Sequence, residues 1–153
     1  MMTEPIAEQI MVKLRERVEK TFRAYRSTRV ATWMPKDQVT HIFQGNLTAN
    51  DSISCPGNPP AKGWTLEAAV AGIAKPSDRD TVPIDTYKNR LGADILNAIT
   101  NASLWHNWDG LAVNTDMSDV EDFSGTDGSA SGVIVKLAIH FRVSETDQYT
   151  ARA

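Results

Sequence analysis

Three histidines and one cysteine are the first side chains to test for chemistry. His41, His106 and His140 stand far apart in the chain, and none has a metal-ligand spacing with Cys55. Cys55 lies between Ser54 and Pro56. A nucleophilic thiol needs a neighbouring base and a fixed position, so a structural cysteine is the simpler reading. The run Asp116-Met-Ser-Asp119-Val-Glu121-Asp122 offers carboxylates to a calcium ion but lacks the D-x-D-x-D-G order of an EF-hand loop. There is no G-x-S-x-G elbow, and neither glycine-rich phosphate motif is present. Gly125-Thr-Asp-Gly128 reads as a turn between strands, not as a phosphate loop. Trp105 and Trp108 flank His106 and could line a pocket or close a core beneath a turn. Carboxylates converging from distant positions stay open as a hydrolytic pair. The expectation is a protein with no enzyme activity, no cofactor and no metal.

The elements that would position these residues follow from periodicity. The stripe Ile6, Ile10, Leu14, Val18, Phe22 and Tyr25 predicts a helix over 4–26, with Thr3 as cap and Pro5 in its first turn. Lys13, Arg17 and Lys20 fall on its opposite side. Short strands are expected at Arg29–Met34, ended by Pro35, and at Gln38–Leu47. Thr48–Gly63 is rich in Asn, Ser, Pro and Gly and reads as a long exposed loop, mobile before assembly. Trp64–Lys75 is a strand with Trp64, Leu66, Ala68 and Val70 on one face, and its small residues Ala69, Ala71 and Gly72 permit close packing of a helix. After a break at Pro76–Asp80, a second helix spans about Pro83–Asn101, with Thr81 before it and a stripe of Ile84, Tyr87, Leu91, Ile95, Ala98 and Ile99. Trp105–Gly110 is a turn, Leu111–Phe123 a fourth strand and Ser124–Gly132 a turn.

The last strand is the clearest element. Val133, Val135, Leu137, Ile139, Phe141 and Val143 alternate with residues that include Lys136, His140 and Arg142, and a polar tail follows. Period-two alternation puts one face in a core and the other toward water or a partner. The order α-β-β-β-α-β-β predicts an α/β (α+β) fold. Its sheet is mostly antiparallel, of four to five strands, with two helices packed on one face. Residues 1–153 are expected to form a single domain.

Composition narrows the function classes. A net charge of −3 gives no general reason to expect nucleic acid or an anionic membrane as partner. No apolar run approaches the roughly 18–20 residues of a membrane span. One cysteine makes no internal disulfide, and the early acids of MMTEPIAEQI do not fit a secretion signal, so folding in a reducing cytoplasm is expected. The charge is uneven. Eight Lys or Arg fall between Lys13 and Lys36, whereas none lies between Arg90 and Lys136, where Asp94, Asp109, Asp116, Asp119, Glu121, Asp122 and Asp127 stand. Two readings stay open: two solvated surfaces, or a self-complementary subunit whose basic part meets the acidic part of the next copy head to tail.

Several segments, in order, carry a family resemblance. They are Phe22-Arg-Ala-Tyr-Arg-Ser-Thr-Arg-Val-Ala-Thr, the strand Gln38-Val-Thr-His-Ile-Phe-Gln-Gly, and Trp64–Ala74 followed by Leu91-Gly-Ala-Asp-Ile-Leu-Asn-Ala-Ile. Then come Trp108-Asp-Gly-Leu-Ala-Val-Asn-Thr and the closing Phe141-Arg-Val-Ser-Glu-Thr-Asp-Gln-Tyr-Thr-Ala, in which Gln148 replaces the proline of the family's Asp-Pro-Tyr tail. Over nearly its whole length the chain resembles the tail-terminator, or tail-completion, proteins of long-tailed bacteriophages and related tail-derived particles.

The resemblance implies a structural virion protein in the tail or neck, assembled in the host cytoplasm. Such subunits form a six-fold ring on the head-proximal end of the tail tube. The ring stops tube polymerisation by competitive binding and offers its other face to head-completion (neck) proteins. The implied partners are further copies of the chain, the tube protein and the neck protein. DNA passes through the lumen without specific binding, and no membrane is involved. Arg15, Lys20, Arg23, Arg26, Asp116, Asp119, Glu121, Asp122, Lys136, His140 and Arg142 are the candidate subunit-interface or lumen residues, an acidic lumen being one that repels DNA. A neck adaptor or sheath terminator, a small ligand-binding or enzymatic α+β domain, and a nucleic-acid module using the basic first helix are the alternatives.

Overall fold

The computed structural model describes residues 4–26, 39–74, 83–124 and 131–152. Helix α1 spans Ile6–Glu19 and α2 spans Ile84–Thr100. The strands are β1 (Arg23–Arg26), β2 (Val39–Ala49), β3 (Ala61–Ala74), β4 (Asn114–Ser124), β5 (Ser131–Ser144) and β6 (Asp147–Ala151). They form one sheet in the order β1-β2-β3-β5-β4, with β6 also on β5. The β1–β2 pair is parallel and every other pair antiparallel. The α+β class stands, with six strands in place of four to five.

β5 organises the sheet. It pairs with β3 from Ala61↔Ser144 to Ala74↔Ser131, and on its other side with β4 from Asn114↔His140 to Ser124↔Ser131. Its six odd-numbered apolar residues, Val133 to Val143, are all buried, as their alternation requires. They meet Leu66, Ala68 and Val70 of β3 in one core cluster with Ile6, Ile10, Met11, Leu14 and Val18 of α1 and Ile95 and Ile99 of α2. Both helices therefore cover one face, here called inner. Gly72 continues the inner row of β3. A Cβ there would lie 2.8 Å from Ile95 Cδ1 and 3.1 Å from Leu91, so α2 sits as close as a glycine allows.

The first helix is shorter than its stripe. Thr21 and Phe22 donate their backbone N–H groups to the Val18 carbonyl, and the chain then turns into β1. Phe22 and Ala24 stay buried, whereas Tyr25 is 47% exposed on the outer face. Parallel pairing of Arg23–Arg26 with Val39–Ile42 outcompetes two more helical turns. The caps expected at Thr3 and Thr81 and the strand expected at Arg29–Met34 lie outside the described residues, as do Pro76–Asp80 and most of the Ser124–Gly132 turn.

Two segments are more ordered than their composition suggests. In Thr48–Gly63, β2 runs to Ala49, Asp51–Ile53 is a 3₁₀ turn, and Cys55 and Ala61 exchange two backbone hydrogen bonds of 2.9 Å. Gly63 abuts the Asn50 carbonyl and the Ile53 side chain, which admits no larger residue. The polar tail is strand β6, whose partner in register is the end of β5.

His41 lies on the outer side of β2, 8% exposed, its ring 6.2 Å from Tyr25 and 6.5 Å from Phe43. Burial lowers the pKa of its imidazole below the ordinary histidine value. The unfolded chain then binds a proton that the folded chain refuses, so stability falls as pH drops below about 6.5. His41→Phe is expected to remove part of that loss, at most about 1.4 kcal/mol per pH unit, in urea midpoints compared between pH 7.5 and 5.5. Gly72→Val is expected to cost about 1–3 kcal/mol by the same assay, and Gly72→Ala less, because the ends of Ile95 and Leu91 can rotate away.

Candidate assembly surface

The even-numbered residues of β5 face away from the helices, and Lys136, His140 and Arg142 among them are each met by a group from a neighbouring element. The Lys136 ammonium donates to Glu121 Oε1 at 2.9 Å. That bond, with the nearby charges of Glu121, Asp119 and Glu67, raises the Lys136 pKa above the ordinary lysine value. The His140 Nε2–H group points at Asp116 Oδ2, 2.9 Å away, which leaves Nδ1 to accept from the Thr65 hydroxyl at 2.8 Å and the Asn50 amide at 3.2 Å. Arg142 donates to Cys55 Sγ at 2.9 Å.

Asn50 holds the segment that follows it. Its carboxamide oxygen accepts from the Ser52 N–H and hydroxyl at 3.1 and 2.6 Å, and its amide reaches Thr65 at 3.1 Å as well as His140. This network explains why a loop-like composition forms a fixed flap across β3 and β5.

A bulge between Met117 and Asp119 resets the alternation of β4. Asp116, Asp119 and Glu121 consequently pair in register with outward residues of β5, and Asp122 with inward Val133. Asp122 is bound at 2.7 Å by Lys88 of α2, a lysine only 8% exposed. The candidate residues thus divide. Asp116, Asp119, Glu121, Lys136, His140 and Arg142 share the outer face, while Asp122 belongs to the helix side.

The basic candidates gather at the other end of the sheet. Arg26 grips Glu8 of α1 through two bonds of 2.8 and 3.1 Å, and Arg15 donates to Glu19 and to the Ala24 carbonyl. Lys20 and Arg23 are exposed, and their side chains have neither ion pair nor hydrogen bond among the described residues. Asp127 lies outside the described residues. Pairs as exposed as Lys136–Glu121 add little stability, about 0–1 kcal/mol, so their main effect is to fix the charge pattern of the face.

One important residue reads as surface in the sequence and is not. Arg17 is 6% exposed, with its guanidinium 4.1 Å from the centre of the Trp108 ring. It donates to the Trp105 carbonyl at 2.8 Å and the Ile99 carbonyl at 3.4 Å. Burial lowers its pKa, against which the charge of Asp109 acts. Fully buried Trp108 donates to Thr115 at 2.7 Å, and Thr115 to the His106 carbonyl at 2.8 Å. These contacts hold Trp108, Asp109 and Gly110 with φ of 53°, 58° and 96°, a left-handed run that costs about 1–2 kcal/mol for each non-glycine residue. The signal was available: Arg17 lies three residues after Leu14 and seven after Ile10, on the apolar stripe itself. Lys88 repeats it, four after Ile84 and three before Leu91.

The tryptophan segment therefore closes the core through Trp108. Open concavities among the described residues include one of about 450 Å³ beside Thr21 and Asp94 and one of about 400 Å³ on the outer sheet face between Glu67 and Lys136. Among the described residues no group of three or more His, Cys, Asp or Glu could hold a metal ion, and no helix is long and apolar enough to cross a membrane.

No family model matches the chain, and no curated protein matches it in sequence. A solved structure does match in fold: the PVC sheath/tube terminator of an extracellular contractile injection system, in its extended state, determined by cryo-EM. The match covers 100% of this chain and 61% of that one, with a TM-score of 0.55 and 9% identity. The chain therefore has a fold similar to that of a tail terminator and spans under two thirds of that protein's length.

Arg17→Met is expected to destabilise the protein by about 2–4 kcal/mol, because two buried carbonyls lose their donor. Arg17→Lys is expected to cost less, keeping the charge but not the planar fork. Urea unfolding of both variants, followed by tryptophan fluorescence, measures the difference.

Proposed function

We propose that this protein is a tail terminator: a structural subunit that forms a ring on the head-proximal end of a phage tail tube, stops its polymerisation and presents a surface to the neck proteins. The observation that carries the reading is the fold shared over the whole chain with a sheath/tube terminator. The order of the segments quoted above supports it independently. So does a sheet whose outer face is a fixed array of charged groups, suited to recognising a partner's surface.

The mechanism is occupation. A ring on the growing end covers the surface that the next tube subunit needs and offers one that tube protein cannot use. Further copies, the tube protein and the neck protein are the proposed partners, with DNA passing through the ring unbound. The name of the similar protein, which joins sheath and tube, favours one second reading, in which the subunit also ends a contractile sheath.

The test adds purified protein to tubes polymerising from their own tube protein and follows tube length by negative-stain microscopy. Growth is expected to stop within one ring's addition, at a concentration of protein stoichiometric with tube ends. Tubes that keep elongating in excess protein would contradict the reading.

A further inference from the structure

β1 and β4 are the two edges of the five-strand path, separated by four strand spacings, or roughly 19 Å. An edge strand leaves a row of backbone N–H and C=O groups open to another chain. Among the described strands β4 pairs on one side only, over eleven residues. The two edges carry opposite charge, and the match is finer than sign alone.

On the inner face the edge charges are taken up by the helices, Arg26 by Glu8 of α1 and Asp122 by Lys88 of α2. On the outer face Asp116 and Glu121 are met by His140 and Lys136 of β5, and Arg23 and Asp119 are left for a neighbour. Arg23 shares the outer side of β1 with Tyr25, whose neighbour in register is His41, and has no side-chain partner among the described residues. Asp119 is exposed on the outer side of β4, and its side chain has no hydrogen bond among the described residues, whereas Glu121 beside it is held by Lys136. Basic and acidic residues therefore lie on the same face at opposite edges.

We propose that copies of this chain join edge to edge, β4 of one subunit against β1 of the next, so that the sheet continues through the contact. Arg23 of one copy then meets Asp119 of its neighbour, with Lys20, the residue that ends α1 just before β1, and the Lys136-bound Glu121 adding charge at the two sides of the contact. β1 runs opposite to β4 within the subunit, so a rotation about an axis along the strands makes the new pair antiparallel. Half-exposed Tyr25 adds apolar area to the contact. Complementary patches at opposite ends of a subunit give a head-to-tail contact, which closes into a ring when the rotation permits. This deepens the terminator reading by naming the subunit contact, and rests on that reading for the closure of the ring.

The test uses two charge-reversed full-length chains, Asp119→Lys/Glu121→Lys and Lys20→Glu/Arg23→Glu, with mass photometry and native mass spectrometry as readout. Wild-type protein is expected to form closed rings. Each reversed chain alone, folded by circular dichroism, is expected to associate at least tenfold more weakly, since both its edges then carry one sign. An equimolar mixture is expected to restore rings of alternating composition, which can hold only even numbers of subunits. Asp119→Lys alone serves as the acidic-edge variant should Glu121→Lys, beside Lys136, unfold the chain. Reversed chains that assemble like wild type, a mixture of folded variants that stays monomeric, or wild type that is monomeric at all concentrations would each overturn the proposal. Wild-type rings insensitive to reversal would overturn this contact and leave the terminator reading standing. Rings that obey the charge pattern yet fail to stop tube growth would do the reverse.

Discussion

Strand β5 is paired along both sides, and its register sets the meaning of every other strand. Successive side chains point to opposite faces, so a slip of one residue would carry Val133 to Val143 out of the core and Lys136, His140 and Arg142 into it. The cost of burying those three polar groups makes the register unambiguous. Fixed this way, β5 places Leu66, Ala68 and Val70 of β3 under the helices, and Gly72 where α2 can approach. The bulge at Ser118 in β4 is a local exception. It puts Asp119 and Glu121 outside and hands Asp122 to the helix side.

How much of this was legible in the sequence follows from how local the deciding interaction is. Strand β5, helix α2 and the inner row of β3 carry their burial in their own periodicity. The end of α1 does not. Phe22 and Tyr25 keep helical spacing, but the backbone is captured by β2, a partner that periodicity within the segment cannot reveal. Thr48–Gly63 has the composition of a loop and is fixed by Asn50, whose partners Thr65 and His140 lie up to ninety residues away. β6 is a strand only because the end of β5 supplies its hydrogen bonds. Arg17 and Lys88 were legible by spacing and misleading by type, because charged residues are seldom buried unless paired.

The candidate assembly residues show the same division. Their grouping by charge could be read from the chain, whereas their distribution between two faces and two edges needed the fold. The inner charges fasten helices to sheet edges and are spent on the subunit itself. The outer ones on β5 are held in short pairs that fix a pattern, and the side chains of Arg23 and Asp119 at the two edges have no partner among the described residues.

Direct imaging of tube ends by cryo-EM, with the protein present at one ring's stoichiometry, tests this account most directly. It predicts a single added ring at one end of each tube, built from copies of this fold. Protein scattered along the tube wall, present at both ends alike, or absent from the ends would contradict it.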